Sequence, residues 1–166
     1  ETQATAVARL KQYAASWPDR LRLGDGVALL GAGSRTGKSH LACALARTIA
    51  TLYDMRVEDR ALAYLNASIF LNSWRNFYAR PAQATDFEEH GKIYRGLMDA
   101  EHRAFNAKLL ILDELGEASG TEFTGGKLYS LVEYRVSQLL PIVVTSNLGW
   151  SDLARRYGAD GARIVG

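Results

Sequence analysis

The chain has 166 residues, of which 48% are hydrophobic and 23% are charged, as in a globular protein of single-domain size. A net charge of +2 excludes a protein that binds nucleic acid by charge alone, and the single cysteine, Cys43, excludes a disulfide framework or a cysteine-rich zinc site within the chain. No apolar run approaches the roughly 18 residues that span a bilayer, so we expect no membrane association and a reducing, cytoplasmic setting.

The spacing of apolar residues predicts helices that alternate with short strands. A first helix is expected over residues 4–16, and Trp17-Pro18-Asp19 is expected to end it because the residue before a proline avoids helical geometry. The predicted strands are short apolar runs at residues 27–30, 61–65, 109–112 and 141–145. Further helices are predicted at residues 38–53, 67–80, 93–105, 124–138 and 151–156, the last capped by Ser151, with a polar loop at 81–89. This alternation predicts an α/β fold in which a mostly parallel sheet carries helices on both faces and binds ligands at the carboxyl ends of its strands.

A glycine-rich segment between the first strand and the second helix predicts a phosphate-binding loop. Gly37-Lys38-Ser39 completes the Walker A pattern G-x-x-x-x-G-K-[ST], although Ala32 replaces its first glycine and Arg35 lies at its apex. Backbone amides at a helix N-terminus bind phosphate oxygens, the lysine adds a positive charge, and the serine hydroxyl can bind Mg²⁺. We therefore expect the phosphates of ATP to lie along Gly33, Ser34, Arg35, Thr36, Gly37, Lys38, Ser39 and His40. The alternative is a glycine-rich turn with an exposed lysine.

Two later strands end in polar residues that suit the same ligand. The strand at 109–112 leads into Asp113-Glu114, the form of a Walker B segment. Asp113 is expected to hold Mg²⁺ together with Ser39, and Glu114 to orient and deprotonate the attacking water. Asn147 follows the next strand and is expected to contact the γ-phosphate or that water. A surface acidic turn and a turn asparagine are the respective alternatives. Together these segments predict the three-layer α/β/α fold of a P-loop NTPase.

Several segments resemble the DnaC/DnaI-type replicative helicase loaders and the IstB-type transposition helpers. They are Gly37-Lys38-Ser39-His40-Leu41-Ala42, the segment 64–67, the acidic strand end 109–116 and the segment 143–148. The similarity extends from about residue 6 to residue 165. The resemblance implies an AAA+ core that binds ATP and Mg²⁺ and hydrolyses ATP between subunits of a ring or filament. It further implies Asn147 as the first sensor and Arg163 as an arginine that acts on a neighbour's ATP or as a second sensor.

The resemblance also implies that residues 1–166 form one ATPase core domain, with a partner-binding N-terminal domain and a C-terminal end outside this sequence. The expected function is ATP hydrolysis in loading a replicative helicase. A transposition helper, or a weakly hydrolysing nucleotide-binding scaffold, remains an alternative. The scaffold is motivated by the departures at Ala32 and Arg35 in the phosphate loop. These and the departure at residues 159–162 bear on the hydrolysis rate more than on the fold.

Other residues allow further interpretations. His40 is expected to pack or cap rather than act as a base, and Cys43 is expected to be a buried, inert thiol. Tyr13 and Trp17 could line an adenine pocket or pack in the core. Single-stranded DNA could stack on three aromatic residues within a basic cluster, whereas the alternative is a solvated helix face with those aromatics in the core. The residues concerned are Trp74, Phe77 and Tyr78 with Arg75, Arg80, Lys92, Arg95 and Arg103.

Overall fold

The computed structural model of the chain describes residues 3–33, 35–55, 60–79, 87–117 and 120–157. Helices and strands alternate along these ranges after an initial helical pair. The elements are α1 (Gln3–Ala15), α2 (Trp17–Leu23), β1 (Val27–Leu30), α3 (Lys38–Leu52), β2 (Leu62–Asn66), α4 (Ala67–Ala79), α5 (Phe87–Asn106), β3 (Leu109–Asp113), α6 (Glu122–Ser137), β4 (Ile142–Ser146) and α7 (Trp150–Arg156).

The strands form one parallel sheet in the order β1-β4-β3-β2. All five residues of β3 are buried, and the four apolar ones alternate between two apolar clusters on opposite faces of the sheet. Leu110 and Leu112 pack with residues of α4 and α6, whereas Leu109 and Ile111 pack with residues of α1 and α3. The structure therefore confirms the predicted three-layer α/β/α arrangement, and it brings the carboxyl ends of the strands to one edge.

Two predicted helix boundaries were wrong. Trp17-Pro18-Asp19 begins α2 instead of only ending α1, because proline fits the first turn of a helix, where its missing N–H has no intrahelical acceptor. Helix α5 begins at Phe87, so residues 87–89 are helical instead of belonging to a loop. Its polar first turn carries Glu88 and Glu89, whose charges suit a helix N-terminus.

The start of α7 also differs from the prediction. The helix begins at Trp150 after Gly149, and the Gly149 position has no side-chain cap, so Ser151 is not the capping residue. Within the described ranges, no helix is both long and apolar enough to cross a membrane.

A buried arginine ties α6 to the start of β4 and the end of α5. The side chain of Arg135 is 0% exposed. Its guanidinium donates hydrogen bonds to the carbonyl oxygens of Ala104 (2.7 Å), Phe105 (3.3 Å) and Pro141 (2.7 Å). Burial lowers the pKa of Arg135 to about 10, so it stays charged at neutral pH. Arg135 therefore supplies hydrogen-bond donors to carbonyl oxygens in the last turn of α5 and directly before β4.

We expect Arg135→Met to lower the free energy of unfolding by about 2–4 kcal/mol, because methionine fills the space but removes the guanidinium donors to the Ala104, Phe105 and Pro141 carbonyls. Urea unfolding followed by circular dichroism measures this change. The control is Arg155→Met at an exposed ion pair with Asp152, which should cost less than about 1 kcal/mol. Equal losses in the two variants would contradict the proposed role of Arg135.

Candidate functional site

The loop between β1 and α3 has the backbone geometry of a phosphate-binding loop. Gly33 (φ 100°) and Gly37 (φ 85°) adopt left-handed conformations that suit glycine. Ala32 is not among the residues with positive φ, so alanine is tolerated at the position of the first glycine in the Walker A pattern. Arg35 adopts φ 60° without being a glycine, which strains the backbone at the loop apex. The glycines on either side of Ala32 thus leave the loop able to curve.

Lys38 is folded over this loop at the first position of α3. Its ammonium donates to the carbonyl oxygens of Gly31 (3.2 Å) and Gly33 (2.9 Å) and to the hydroxyl of Thr36 (2.8 Å). Within the described part of the chain these acceptors are neutral, and no carboxylate pairs with Lys38. The positive charge is therefore uncompensated at a helix N-terminus, a position that favours an anionic ligand.

Asp113 lies at the carboxyl end of β3 with only 3% of its surface exposed. Its Oδ1 accepts a hydrogen bond from the Thr145 hydroxyl, and its Oδ2 accepts one from the Tyr64 hydroxyl at 2.6 Å. Burial by itself raises the pKa of Asp113, but donors from Thr145, Tyr64, Ser39 and the Glu114 backbone outweigh burial and hold that pKa below its ordinary value. The carboxylate therefore stays ionised beside the Ser39 hydroxyl.

Glu114 directly follows β3 at the carboxyl end of the sheet, next to Asp113. Its backbone has φ 56°, an uncommon value for a residue other than glycine, and its N–H donates to the Thr145 hydroxyl oxygen at 3.0 Å. The side chain is exposed, and its Oε2 accepts a 2.6 Å hydrogen bond from the amide of Asn66, the last residue of β2. Neighbouring strands thus fix both the backbone and the carboxylate of Glu114.

Asn147 directly follows β4, which lies on the other side of β3 from β2 and Asn66. Its amide donates to the carboxylate of Glu117 at 3.1 Å. A pocket of about 450 Å³ lies between this strand end and the loop before α3. Its lining residues are Arg35, Thr36, Gly37, Lys38, Ser39, His40, Glu114, Thr145, Ser146 and Asn147.

Most of the predicted site residues meet at this pocket. The loop residues 35–40, Glu114 and Asn147 line it directly. The Gly33 carbonyl accepts a hydrogen bond from Lys38, which lines the pocket. Asp113 does not line the pocket itself but accepts a hydrogen bond from Ser39, which does. Ser34 and Arg163 lie outside the described residues.

Four residues of the site were missed as functional candidates: Tyr64, Asn66, Thr145 and Ser146. Each lies at or near the carboxyl end of a strand that neighbours β3. Polar side chains at the ends of apolar strands are a signal that could have indicated them, although it does not specify their partners.

The donor set suits Mg²⁺ bound together with phosphates. Among the described residues, no group of three or more His, Cys, Asp or Glu side chains could hold a metal ion by itself. Mg²⁺ in nucleotide sites takes one or two protein oxygens and completes its octahedron with phosphate and water. The Ser39 hydroxyl beside the ionised Asp113 supplies protein oxygens of this kind.

Three of the other residues considered in the sequence occupy clear positions. Cys43 is exposed on α3, so the prediction of a buried thiol was wrong: the apolar stripe of α3 that faces the core runs through Ala42 and Leu45 instead. Burial and the nearby Asp113 nevertheless raise the pKa of Cys43. Tyr13 and Trp17 are buried in the core between α1, α3 and the sheet.

The aromatic residues of α4 divide between core and surface. Trp74 is 1% exposed and belongs to the core, whereas Tyr78 stacks on it with ring centroids 5.5 Å apart and is 59% exposed. Phe77 is half-buried between His90 and Tyr94 of α5. Arg80 lies outside the described residues. The core alternative thus holds for Trp74, and Tyr78 remains available on the surface.

Known structures share this architecture. The DnaC helicase loader superimposes with a TM-score of 0.70 at 19% identity, over 98% of this chain and 82% of that chain. DnaI gives a TM-score of 0.74 at 16% identity, with 98% and 78% coverage. The replication initiator DnaA bound to AMPPCP and single-stranded DNA gives 0.64 at 20% identity, with 98% and 43% coverage. This chain shares the fold of these AAA+ replication proteins.

The likeness lies in structure and not in sequence. No protein-family model matches the chain, and no curated protein matches it. Structural similarity at 16–20% identity establishes the fold. This fold agrees with the resemblance of the Walker segments. The activity requires a separate test.

We expect Thr145→Val to lower the free energy of unfolding by about 1–3 kcal/mol at neutral pH, because it removes the donor to Asp113 and the acceptor for the Glu114 N–H. The folded-state pKa of Asp113 is lowered, so its ionised form stabilises the fold above the ordinary aspartate pKa of about 3.9 and this contribution is lost as the pH falls. The difference between wild type and variant should therefore shrink in acid.

Urea titrations between pH ~7 and ~3 measure this difference. Thr48→Val is the matched control, since its exposed hydroxyl donates only to the Ala44 carbonyl within α3. That change should stay within about 0.5 kcal/mol at each pH. A Thr145→Val deficit that does not depend on pH would contradict the link to Asp113.

Proposed function

We propose that this chain is a Mg²⁺-dependent ATPase domain of the AAA+ type. The observation that carries the proposal is the meeting of Lys38, Ser39, Glu114 and Asn147 at one pocket, with the ionised Asp113 directly behind it. A cation at a helix N-terminus, a hydroxyl beside a buried carboxylate and an exposed second carboxylate are the groups that phosphoryl transfer to water requires.

Each residue has a role that follows from its position. The amides of the loop and the Lys38 ammonium bind the β- and γ-phosphates, exchanging loop carbonyls for phosphate oxygens. Ser39 and Asp113 hold Mg²⁺, which when bound neutralises charge on the phosphates. Glu114, oriented by Asn66, accepts a proton from the attacking water, and Asn147 orients that water or the γ-phosphate.

We further propose that the domain acts as a helicase loader in DNA replication. The resemblance of the Walker segments and the likeness to the DnaC helicase loader and to DnaI support this assignment. In this proposal ATP lies between subunits of a ring or filament, and Arg163 reaches a neighbour's ATP or acts as a second sensor. A transposition helper and a weakly hydrolysing scaffold are the competing functions.

Single-stranded DNA is a proposed second partner of the domain. DnaA of the same fold has been solved with single-stranded DNA. In this chain the exposed Tyr78 ring offers a stacking surface, and Arg75 on the same helix and Arg95 on α5 add positive charge, whereas the charge of Lys92 is paired with Glu88 at 2.7 Å.

We expect Glu114→Gln to bind ATP as the wild type does but to hydrolyse it at least about 100-fold more slowly, because the amide cannot accept a proton from water. Phosphate release measures turnover, and equilibrium binding of a fluorescent ATP analogue measures affinity. Slow wild-type turnover unaffected by Glu114→Gln would favour the scaffold instead.

The Lys38→Ala variant is the companion control for binding. Loss of charge-assisted hydrogen bonds worth about 1.5 kcal/mol or more should weaken ATP binding by at least about tenfold. Unchanged ATP binding in Lys38→Ala would show that the phosphates do not lie at this loop.

The biological role calls for a separate test of partners. We expect the full-length protein to co-purify with a replicative helicase in the presence of ATP and Mg²⁺, and the Glu114→Gln variant to retain that complex longer because hydrolysis is blocked. Affinity capture against purified helicase and purified transposase compares the two roles. Capture of the transposase alone would replace helicase loading by the transposition role.

A further inference from the structure

Tyr64 contacts the candidate magnesium site from the edge of the sheet. It lies on β2, two residues before the position that pairs with Asp113. Its hydroxyl nevertheless reaches diagonally to donate a 2.6 Å hydrogen bond to Asp113 Oδ2. The residue is 53% exposed, so the ring is not held there by burial in the core. The direction of its hydroxyl is therefore set mainly by the carboxylate itself.

The two oxygens of Asp113 accept hydrogen bonds from side chains on two different strands. Thr145 is 1% exposed and donates to Oδ1 from the central strand β4. Tyr64 donates to Oδ2 from the edge strand. The Ser39 hydroxyl and the Glu114 backbone also donate hydrogen bonds to this carboxylate. Donors at both oxygens restrict its rotation about the Cβ–Cγ bond. Tyr64 thus supplies the edge-strand contact that fixes the plane of Asp113 at Oδ2.

We propose that Tyr64 is a positioning residue for Mg²⁺, fixing the Asp113 carboxylate so that its free lone pairs face the Ser39 hydroxyl and the metal's water shell. This inference rests on the proposed function and adds to it a residue that acts through Asp113. Mutation of a residue that orients a metal-binding side chain typically lowers metal affinity by about ten- to a hundredfold. Tyr64 does not line the pocket in which we propose that the nucleotide binds. Loss of its hydroxyl should therefore lower the affinity for Mg²⁺ and leave the metal-free affinity for the nucleotide unchanged.

The test compares nucleotide affinity with and without the metal. The dissociation constant of AMPPCP, a non-hydrolysable ATP analogue, is measured by calorimetry in Mg²⁺ and in EDTA. The ratio of the two constants reports how strongly the site couples metal to nucleotide. We expect Tyr64→Phe to reduce this ratio by about tenfold while leaving the affinity in EDTA unchanged, since only the hydroxyl is lost.

Tyr53→Phe is the matched control. It also removes a hydrogen-bonded tyrosine hydroxyl, one that donates to the Ala15 carbonyl at 2.9 Å between α3 and α1. The ratio should not change in this variant. An equal ratio in wild type and Tyr64→Phe would overturn the positioning role while leaving the proposed function standing. Failure of the wild type to bind AMPPCP at all would overturn the proposed function and this inference with it.

A double-mutant cycle separates positioning from a general effect on folding. In an Asp113→Asn background the carboxylate that Tyr64 orients is absent while Ser39 remains, so adding Tyr64→Phe should change the residual ratio no further. A further tenfold reduction in that background would show that Tyr64 acts by another route and would also overturn the inference.

Discussion

The burial of one ionised carboxylate is the constraint on which the rest of the site depends. Asp113 is 3% exposed, and an unpaired charge at such a position would be costly to desolvate. Its donors come from β4 on one side, β2 on the other and α3 above. Since a shift of one residue between parallel strands turns each side chain to the opposite face, the register of the sheet and the geometry of the site are set together.

The carboxyl end of β4 is hydrogen-bonded to both loops of the candidate site. The carbonyl oxygen of Thr145 accepts from the Leu115 N–H at 2.9 Å, and that of Ser146 accepts from the Gly31 N–H at 3.3 Å. The Ser146 hydroxyl donates to the Leu115 carbonyl. The phosphate loop and the segment after Asp113 are thus held to a single strand end. Positive φ at Arg35 and Glu114 is sustained within this framework, as strained residues at functional sites usually are.

The parts of this structure that sequence could predict are those encoded by neighbouring residues. The Gly37-Lys38-Ser39 triplet, the Asp113-Glu114 pair and the apolar run of β3 are local patterns, and their expected elements are present. The contacts of Tyr64 and Thr145 depend instead on the order β1-β4-β3-β2, which no local pattern specifies.

The errors in the predicted elements have local physical causes. Pro18 disfavours helical geometry in the residue before it but suits the first turn of a new helix, and the prediction took only the first effect into account. The polar first turn of α5 lacks the apolar spacing from which helices are predicted. Cys43 was assigned by the usual burial of cysteine, although it lies on the face of α3 that turns away from the core.

The position of β2 at the edge of the sheet gives the site an asymmetry. Donors from β4 are enclosed between neighbouring strands, whereas Tyr64 and Asn66 reach Asp113 and Glu114 from β2, which pairs with β3 alone among the described strands. Backbone hydrogen bonds therefore hold β4 on both sides and β2 on one, so displacement of β2 costs less than displacement of β4. Because β2 contacts one oxygen of each carboxylate, a movement of this edge strand would alter the proposed metal ligand and the proposed general base together.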